Sequence, residues 1–164
     1  MQISELSGEG MILNIRRMKD TDIDNVYAIE TSVHIAPWSK NILRDCVLVG
    51  YDCRVLEINS GNSPIVAGYI ISRVSNNGCH ILNFCVAKPL QSKGFGRKLL
   101  QTFLYSLSKY TKADFVVLEV RPSNNVALHL YKSMGFEPVE IKKEYYKDNN
   151  SVEDAILLRK SLTV

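Results

Sequence analysis

The stretch Gln91-Ser92-Lys93-Gly94-Phe95-Gly96 lies between an apolar, strand-like segment, Ile81 to Val86, and an amphipathic run with Leu99, Leu100, Phe103, Leu104 and Leu107 on one stripe. A turn that leads from a strand into a helix aims several backbone N–H groups at one point. Two glycines let the main chain approach a bulky anion without Cβ interference. The new helix adds the positive end of its dipole, so the natural guest is a phosphate or pyrophosphate. A glycine-rich turn with no ligand is the plainer alternative, and the flanking segments weigh between the two.

Downstream, Phe115-Val-Val-Leu-Glu-Val120 is apolar except at Glu119. Continuous apolar strands belong to parallel pairs covered on both faces. A right-handed strand, helix, strand crossover therefore sets Phe115 to Val120 parallel to Ile81 to Val86. Pro122-Ser123-Asn124 starts a further helix that ends at Met134, with Gly135 in the C′ position. Glu137 to Tyr145 and Glu153 to Leu162 are the last two strands. Upstream, Met11 to Met18 reads as a first strand, and Asp20 to Asp22 offers N-cap side chains for a helix carrying Ile23, Val26, Tyr27 and Ile29. Pro37-Trp38-Ser39 breaks it, and Ser39 caps a short second helix. Cys53 to Ile58, Ile65 to Val74 and Cys79 to Val86 form an antiparallel meander. The fold class is α/β, with residues 11–164 as one domain and residues 1–10 as a ragged leader.

A chain of 164 residues, 46% apolar, fits one sizeable core. It holds no apolar run near the roughly 20 residues of a membrane span. The N-terminal residues lack a basic, then apolar, signal pattern, so a cytoplasmic setting is the default. A net charge of +3 gives no concentrated basic face for nucleic acid. Cys46, Cys53, Cys79 and Cys85 form no Cys-x-x-Cys pair, and His34, His80 and His129 are scattered, so no metal site is expected.

The order of elements, with Gln-x-x-Gly-x-Gly, a Glu-bearing strand, an Asn-bearing helix and Tyr-x-x-x-Gly-Phe, resembles the GNAT superfamily of acetyl-coenzyme A-dependent N-acetyltransferases from Leu13 to Leu162. Pro37-Trp38-Ser39, Leu118 to Arg121, Ser123-Asn124, Leu130 to Phe136, Tyr145-Tyr146 and Glu153 to Ile156 resemble its RimI group. That group acetylates the N-terminal alanine of a ribosomal protein, the eighteenth of the small subunit. The resemblance implies a mixed, mostly antiparallel sheet of six to seven strands with about four helices, its central parallel pair splayed where acetyl-CoA enters.

It further implies that Gln91, Ser92, Lys93, Gly94, Phe95 and Gly96 hold the pyrophosphate. Lys93, Arg97 and Lys98 either add charge there or form a solvated helix start. Phe84 and Val86 would flank the pantetheine arm through their main chain. Asn124 would bond that arm or act as a helix N-cap. Glu119, whose burial alone in an apolar strand is costly, is expected to take the acceptor's proton, with desolvation raising its pKa; a salt bridge is the competing account. Tyr131, on the Asn124 face of the helix, would serve the leaving sulfur or simply pack. Trp38, Tyr145 and Tyr146 would line the peptide entry, or pack. Glu30 would help bind the amine or stand as an exposed helix carboxylate. Cys85 has no histidine nearby in sequence, which favours direct transfer over an acetyl-cysteine. A small amine or a lysine as acceptor, and a non-catalytic acetyl-CoA sensor, are the alternatives.

Overall fold

The computed structural model describes residues 5–7, 11–61, 63–75, 77–148 and 150–162. The chain order is β1 (Glu5–Ser7), β2 (Met11–Arg17), α1 (Ile23–Val33), α2 (Lys40–Leu48), β3 (Asp52–Asn59), β4 (Ile65–Val74), β5 (Gly78–Val86), α3 (Phe95–Tyr110), β6 (Phe115–Val120), α4 (Asn125–Ser133), β7 (Glu137–Lys147) and β8 (Val152–Ser161). One sheet runs β1-β2-β3-β4-β5-β6-β8-β7. Among the described residues it has eight strands rather than six or seven, because Glu5–Ser7, within the expected leader, pairs antiparallel with β2. The rest of that leader lies outside the described residues.

The expected caps of α2 and α4 have physical counterparts, but Asp22 makes no side-chain cap bond to α1 and instead accepts from the Lys19 amide at 2.7 Å. The Ser39 side chain accepts from the Ile42 amide at the start of α2. Gly135, just beyond α4, has φ +93°, the left-handed conformation that ends helices. Strand alternation builds two cores. On one face, Leu99, Leu100, Phe103 and Leu107 of α3 pack with Leu56, Ile70, Val116 and Leu118. On the other, Val26 and Ile29 of α1 and Leu43 of α2 pack with Val55, Tyr69 and Ile71. Arg16 ties β2 to the start of α1 through Asp22 at 2.8 Å and to β3 through Glu57 at 3.0 Å.

Two bulges shape the centre. Between β3 and β4 the register skips Ala67, so Gly68 meets both Leu56 and Val86. A Cβ on Gly68 would sit 2.7 Å from the Cys85 carbonyl oxygen, so only glycine fits. Between β4 and β5, Ile71 pairs with Asn83 and Ser72 with Ile81, leaving Leu82 as the extra residue. An extra residue bends its strand and flips the faces that follow. Cys79 and Ile81 thus face α3, whereas Cys85 faces α1.

The parallel pair parts just before that bulge. β5 pairs with β6 only at Gly78–Phe115, Cys79–Val116 and His80–Val117, although β5 continues to Val86 and β6 to Val120. β6 stays zipped to β8 through Val120, and β5 to β4 through Val86. The sheet is therefore forked at its middle. At the closed end, the Phe115 ring lies so near Gly78 that a Cβ there would be 2.4 Å away, and the Arg159 guanidinium covers the ring at 4.2 Å.

Candidate active site

Below the fork, the chain turns through Gln91 to Gly94 into α3. Ser92 has φ +62° and Gly94 φ +87°. The first bond of α3 runs from the Lys98 amide to the Gly94 carbonyl at 3.1 Å. The amides of Phe95, Gly96 and Arg97 therefore lack helical acceptors. Among the described residues, those of Ser92, Lys93 and Gly94 also have no backbone acceptor. Such a cluster of amides at a helix start suits a pyrophosphate. The Gln91 amide itself is bonded to the Lys88 carbonyl at 3.2 Å, and its side-chain Nε2 donates to the Val86 carbonyl at 2.9 Å, bracing the loop against the end of β5. Arg97 is drawn to Ser133 on α4 at 2.8 Å, and Lys93 is exposed.

A cavity of about 610 Å³ joins this loop to the fork, lined by Phe84, Val86, Gln91, Ser92, Gly94, Gly96, Asn124 and Tyr131 among others. Gly96 stands 3.6 to 3.8 Å, measured from where a Cβ would be, from Val86, Phe84 and Leu130, so the wall is closely packed yet unstrained. The free amides, the unpaired strand ends and this slot fit a pyrophosphate followed by a slender amide-bearing arm. The Asn124 Oδ1 accepts from the Ala127 amide at 3.2 Å, the helix N-cap role, and the residue lines this cavity.

A second cavity of about 400 Å³ opens on the α1 side and contains Glu30, Trp38, His80, Glu119, Tyr145 and Tyr146. Phe84, Asn124 and Tyr131 line both cavities, so they mark the junction. Tyr131 is 7% exposed and packs between Phe84 and Phe136, with ring centroids 6.2 and 5.7 Å away. Burial, then the neighbouring Tyr146, pushes its hydroxyl well above the ordinary tyrosine range.

Glu119 departs from expectation. Its Oε2 lies 2.6 Å from His80 Nε2 and its Oε1 accepts from Lys142 Nζ at 2.9 Å. Burial pushes the carboxyl up, but the bonds from His80 and Lys142 outweigh it, so the pKa is lowered, not raised. The salt bridge that competed with the catalytic role is present.

Glu30 is a second correction: it is 1% exposed, not a surface carboxylate. Its Oε1 accepts from Tyr69 Oη and Asn83 Nδ2, each at 2.6 Å, and its Oε2 from the Trp38 amide at 3.0 Å. It thereby pins the Trp38 turn to β4 and β5, with His34 Nε2 3.1 Å from Asn83 Oδ1. Tyr145 and Tyr146 meet edge to face at 5.0 Å, and Arg121 stacks on Tyr146 at 4.1 Å. Both tyrosines line the cavity, beside a bulge in which Lys142 pairs with Ala155 and Tyr146 with Glu153. Glu144 takes φ +52° within it, held by Asp154 on its amide at 2.9 Å. Cys85 is buried and its thiol pushed up to about 12, burial being the main cause, so it is no nucleophile.

Sequence reasoning missed His80, Asn83 and Lys142. Asn83 was hidden because the Leu82 bulge moves it to the opposite face from the one simple alternation assigns. His80 left a usable trace: a polar residue in one member of the parallel pair, with a carboxylate in the other two residues beyond its partner Val117.

The acetyltransferase (GNAT) family matches residues 20–136, and the chain belongs to that family. It is 31% identical to the [ribosomal protein bS18]-alanine N-acetyltransferase of Escherichia coli K12, over 88% of this chain and 94% of that one. It is 33% identical to the putative enzyme of the same name from Bacillus subtilis, over 88% and 92%. The crystal structure of the ribosomal-protein-S18-alanine N-acetyltransferase from Escherichia coli superimposes with a TM-score of 0.83 at 30% identity, covering 93% of this chain and 95% of that one.

Proposed function

We propose that this protein transfers the acetyl group of acetyl-CoA to the N-terminal α-amine of ribosomal protein bS18, alanine being its first residue, by direct attack in a ternary complex. The observation that carries this is the fork: β5 and β6 separate beyond His80 and Val117, and two cavities meet there at Tyr131. Likeness to the bS18-alanine N-acetyltransferases over most of the chain supports the choice of acceptor.

Bound acetyl-CoA supplies the reactive thioester. The amides of Ser92 to Arg97 hold its pyrophosphate, and Phe84, Val86 and Asn124 flank its arm. Tyr131 keeps its proton at Oη. Because its pKa stands above that of a thiol, about 8.5, it serves the departing sulfur by hydrogen bonding rather than by outright transfer. Trp38, Tyr145 and Tyr146 border the peptide entry, and Glu30 positions that border. An α-amine suits so modest a site. Its pKa of about 7.7 to 8.0 leaves roughly a tenth neutral at pH 7, whereas a lysine offers well under about a thousandth. No helix among the described residues is long and apolar enough to cross a membrane. Four free cysteines and a ribosomal acceptor accord with a cytoplasmic setting.

The test is acetyl-CoA with a peptide that begins with alanine and carries an internal lysine, the product being weighed and fragmented. Acetyl on the α-amine alone is the expected outcome. Acetyl on the lysine, or binding of acetyl-CoA without turnover, refutes the proposal.

A further inference from the structure

We infer that His80 accepts the proton released by the acceptor amine, and that Glu119 acts as the carboxylate that orients its imidazole; this rests on the acetyl-transfer reading. The geometry separates the two roles. Both side chains stand on the α1-side face of the forked strands, one on β5 and one on β6, opposite in parity to Cys79, Ile81, Leu118 and Val120, which face α3. Both oxygens of Glu119 are engaged, one by His80 at 2.6 Å and one by Lys142 at 2.9 Å. Its side chain is 8% exposed against 27% for His80. The imidazole is thus the member of the pair that solvent and a peptide in the acceptor cavity reach.

A carboxylate satisfied by two such donors is a weak proton sink, and the lowered pKa of Glu119 agrees with this. An imidazole held through one nitrogen by a carboxylate presents its other nitrogen, in a fixed direction, as a proton acceptor. With Nε2–H donating to Glu119, Nδ1 carries the free lone pair, and among the described residues it has no protein partner. The step balances with a neutral amine: its nitrogen bonds to the thioester carbonyl carbon, the C–S bond breaks and CoA leaves as a thiolate held by the Tyr131 hydroxyl, and the nitrogen's surplus proton passes to the imidazole, whose new charge the Glu119 carboxylate offsets. The proton then leaves to bulk water from the exposed ring.

Several charged and titratable groups surround His80, with Arg121 and Tyr146 lining the same cavity. Arg73 stands opposite His80 in register on β4, Glu119 adjoins it from β6, and Lys142 and Tyr145 approach from β7, with the Lys142 Nζ 5.4 Å from the Tyr145 ring centre. Glu30 and His34 line the cavity too, but they are bound to Asn83.

The experiment has two arms on the full chain. In the ligand-free protein at pH 8, ring 15N shifts of His80 are expected to report a single Nε2–H tautomer, and Glu119→Gln to mix the tautomers. In turnover, His80→Gln keeps a donor for Glu119 but cannot take a proton. Its kcat is expected to fall about a hundredfold with both KM values within about twofold of the parent, and added imidazole to restore activity to His80→Ala. Mixed tautomers in the parent protein, or a His80→Gln variant as active as an active parent, overturn the inference alone. A parent that acetylates no α-amine overturns the reading beneath it.

Discussion

Glu119 cannot behave as a free carboxylate, because each of its oxygens already serves a donor. Lys142 is the adjustable one. Its removal takes away a bond and a charge that hold the carboxyl low, so the Glu119 pKa rises. In Lys142→Met the carboxylate is then neutralised at a higher pH on acidification. The 13C shift of the Glu119 carboxyl is expected to titrate at higher pH in the variant than in the parent, as NMR would read; an unmoved titration refutes the coupling. Glu119 and Tyr131 could be found from sequence because a lone charge in an apolar strand and a tyrosine on the face of Asn124 are local signals. Glu30 was visible as a residue but not as a buried one. Its burial depends on Tyr69, Asn83 and Trp38 converging from three separate segments, which no local pattern encodes.

The elements that build the fork are two strands and the irregularities inside them. The meander, the crossover and the helix caps were legible, since each follows from alternation, a continuous apolar run or a capping side chain. The bulges at Ala67 and Leu82 were not, because an extra residue in an apolar strand leaves the composition unchanged and shows only in the register. Gly68 is where that hidden geometry becomes testable. Its absent Cβ would lie 2.7 Å from a backbone oxygen of Cys85, which cannot turn aside as a side chain would. Gly68→Ala is expected to destabilise the fold by about 1–3 kcal/mol, seen as a lower urea midpoint at unchanged m-value. It should also weaken acetyl-CoA binding, since Val86 and the Gln91 brace ride on the displaced strand. A midpoint equal to that of the parent would contradict the bulge.

At the scale of the whole molecule, stability leans on carboxylates that the fold keeps ionised. Asp22 is 5% exposed. Burial raises its pKa, but the bond from Arg16 and the Lys19 amide outweigh burial and leave it lowered. A depressed folded pKa contributes stability that is present above the unfolded value of about 3.9 and is lost as pH falls through the folded value. Asp22→Asn should therefore cost on the order of 2 kcal/mol at pH 7, with the gap in Tm from the parent shrinking as the pH drops below about 4; a gap independent of pH would exclude this linkage. The fork has a different bearing at the same scale. An unpaired strand edge on a protein's rim invites a neighbour's strand and so aggregation, but here the raw edge is interior, flanked by Val33 and His34 from one side and Ala127 and Leu130 from the other. What those open strand groups suit is a slender arm with amides of its own, which can complete the hydrogen bonds that a neighbouring strand would otherwise supply.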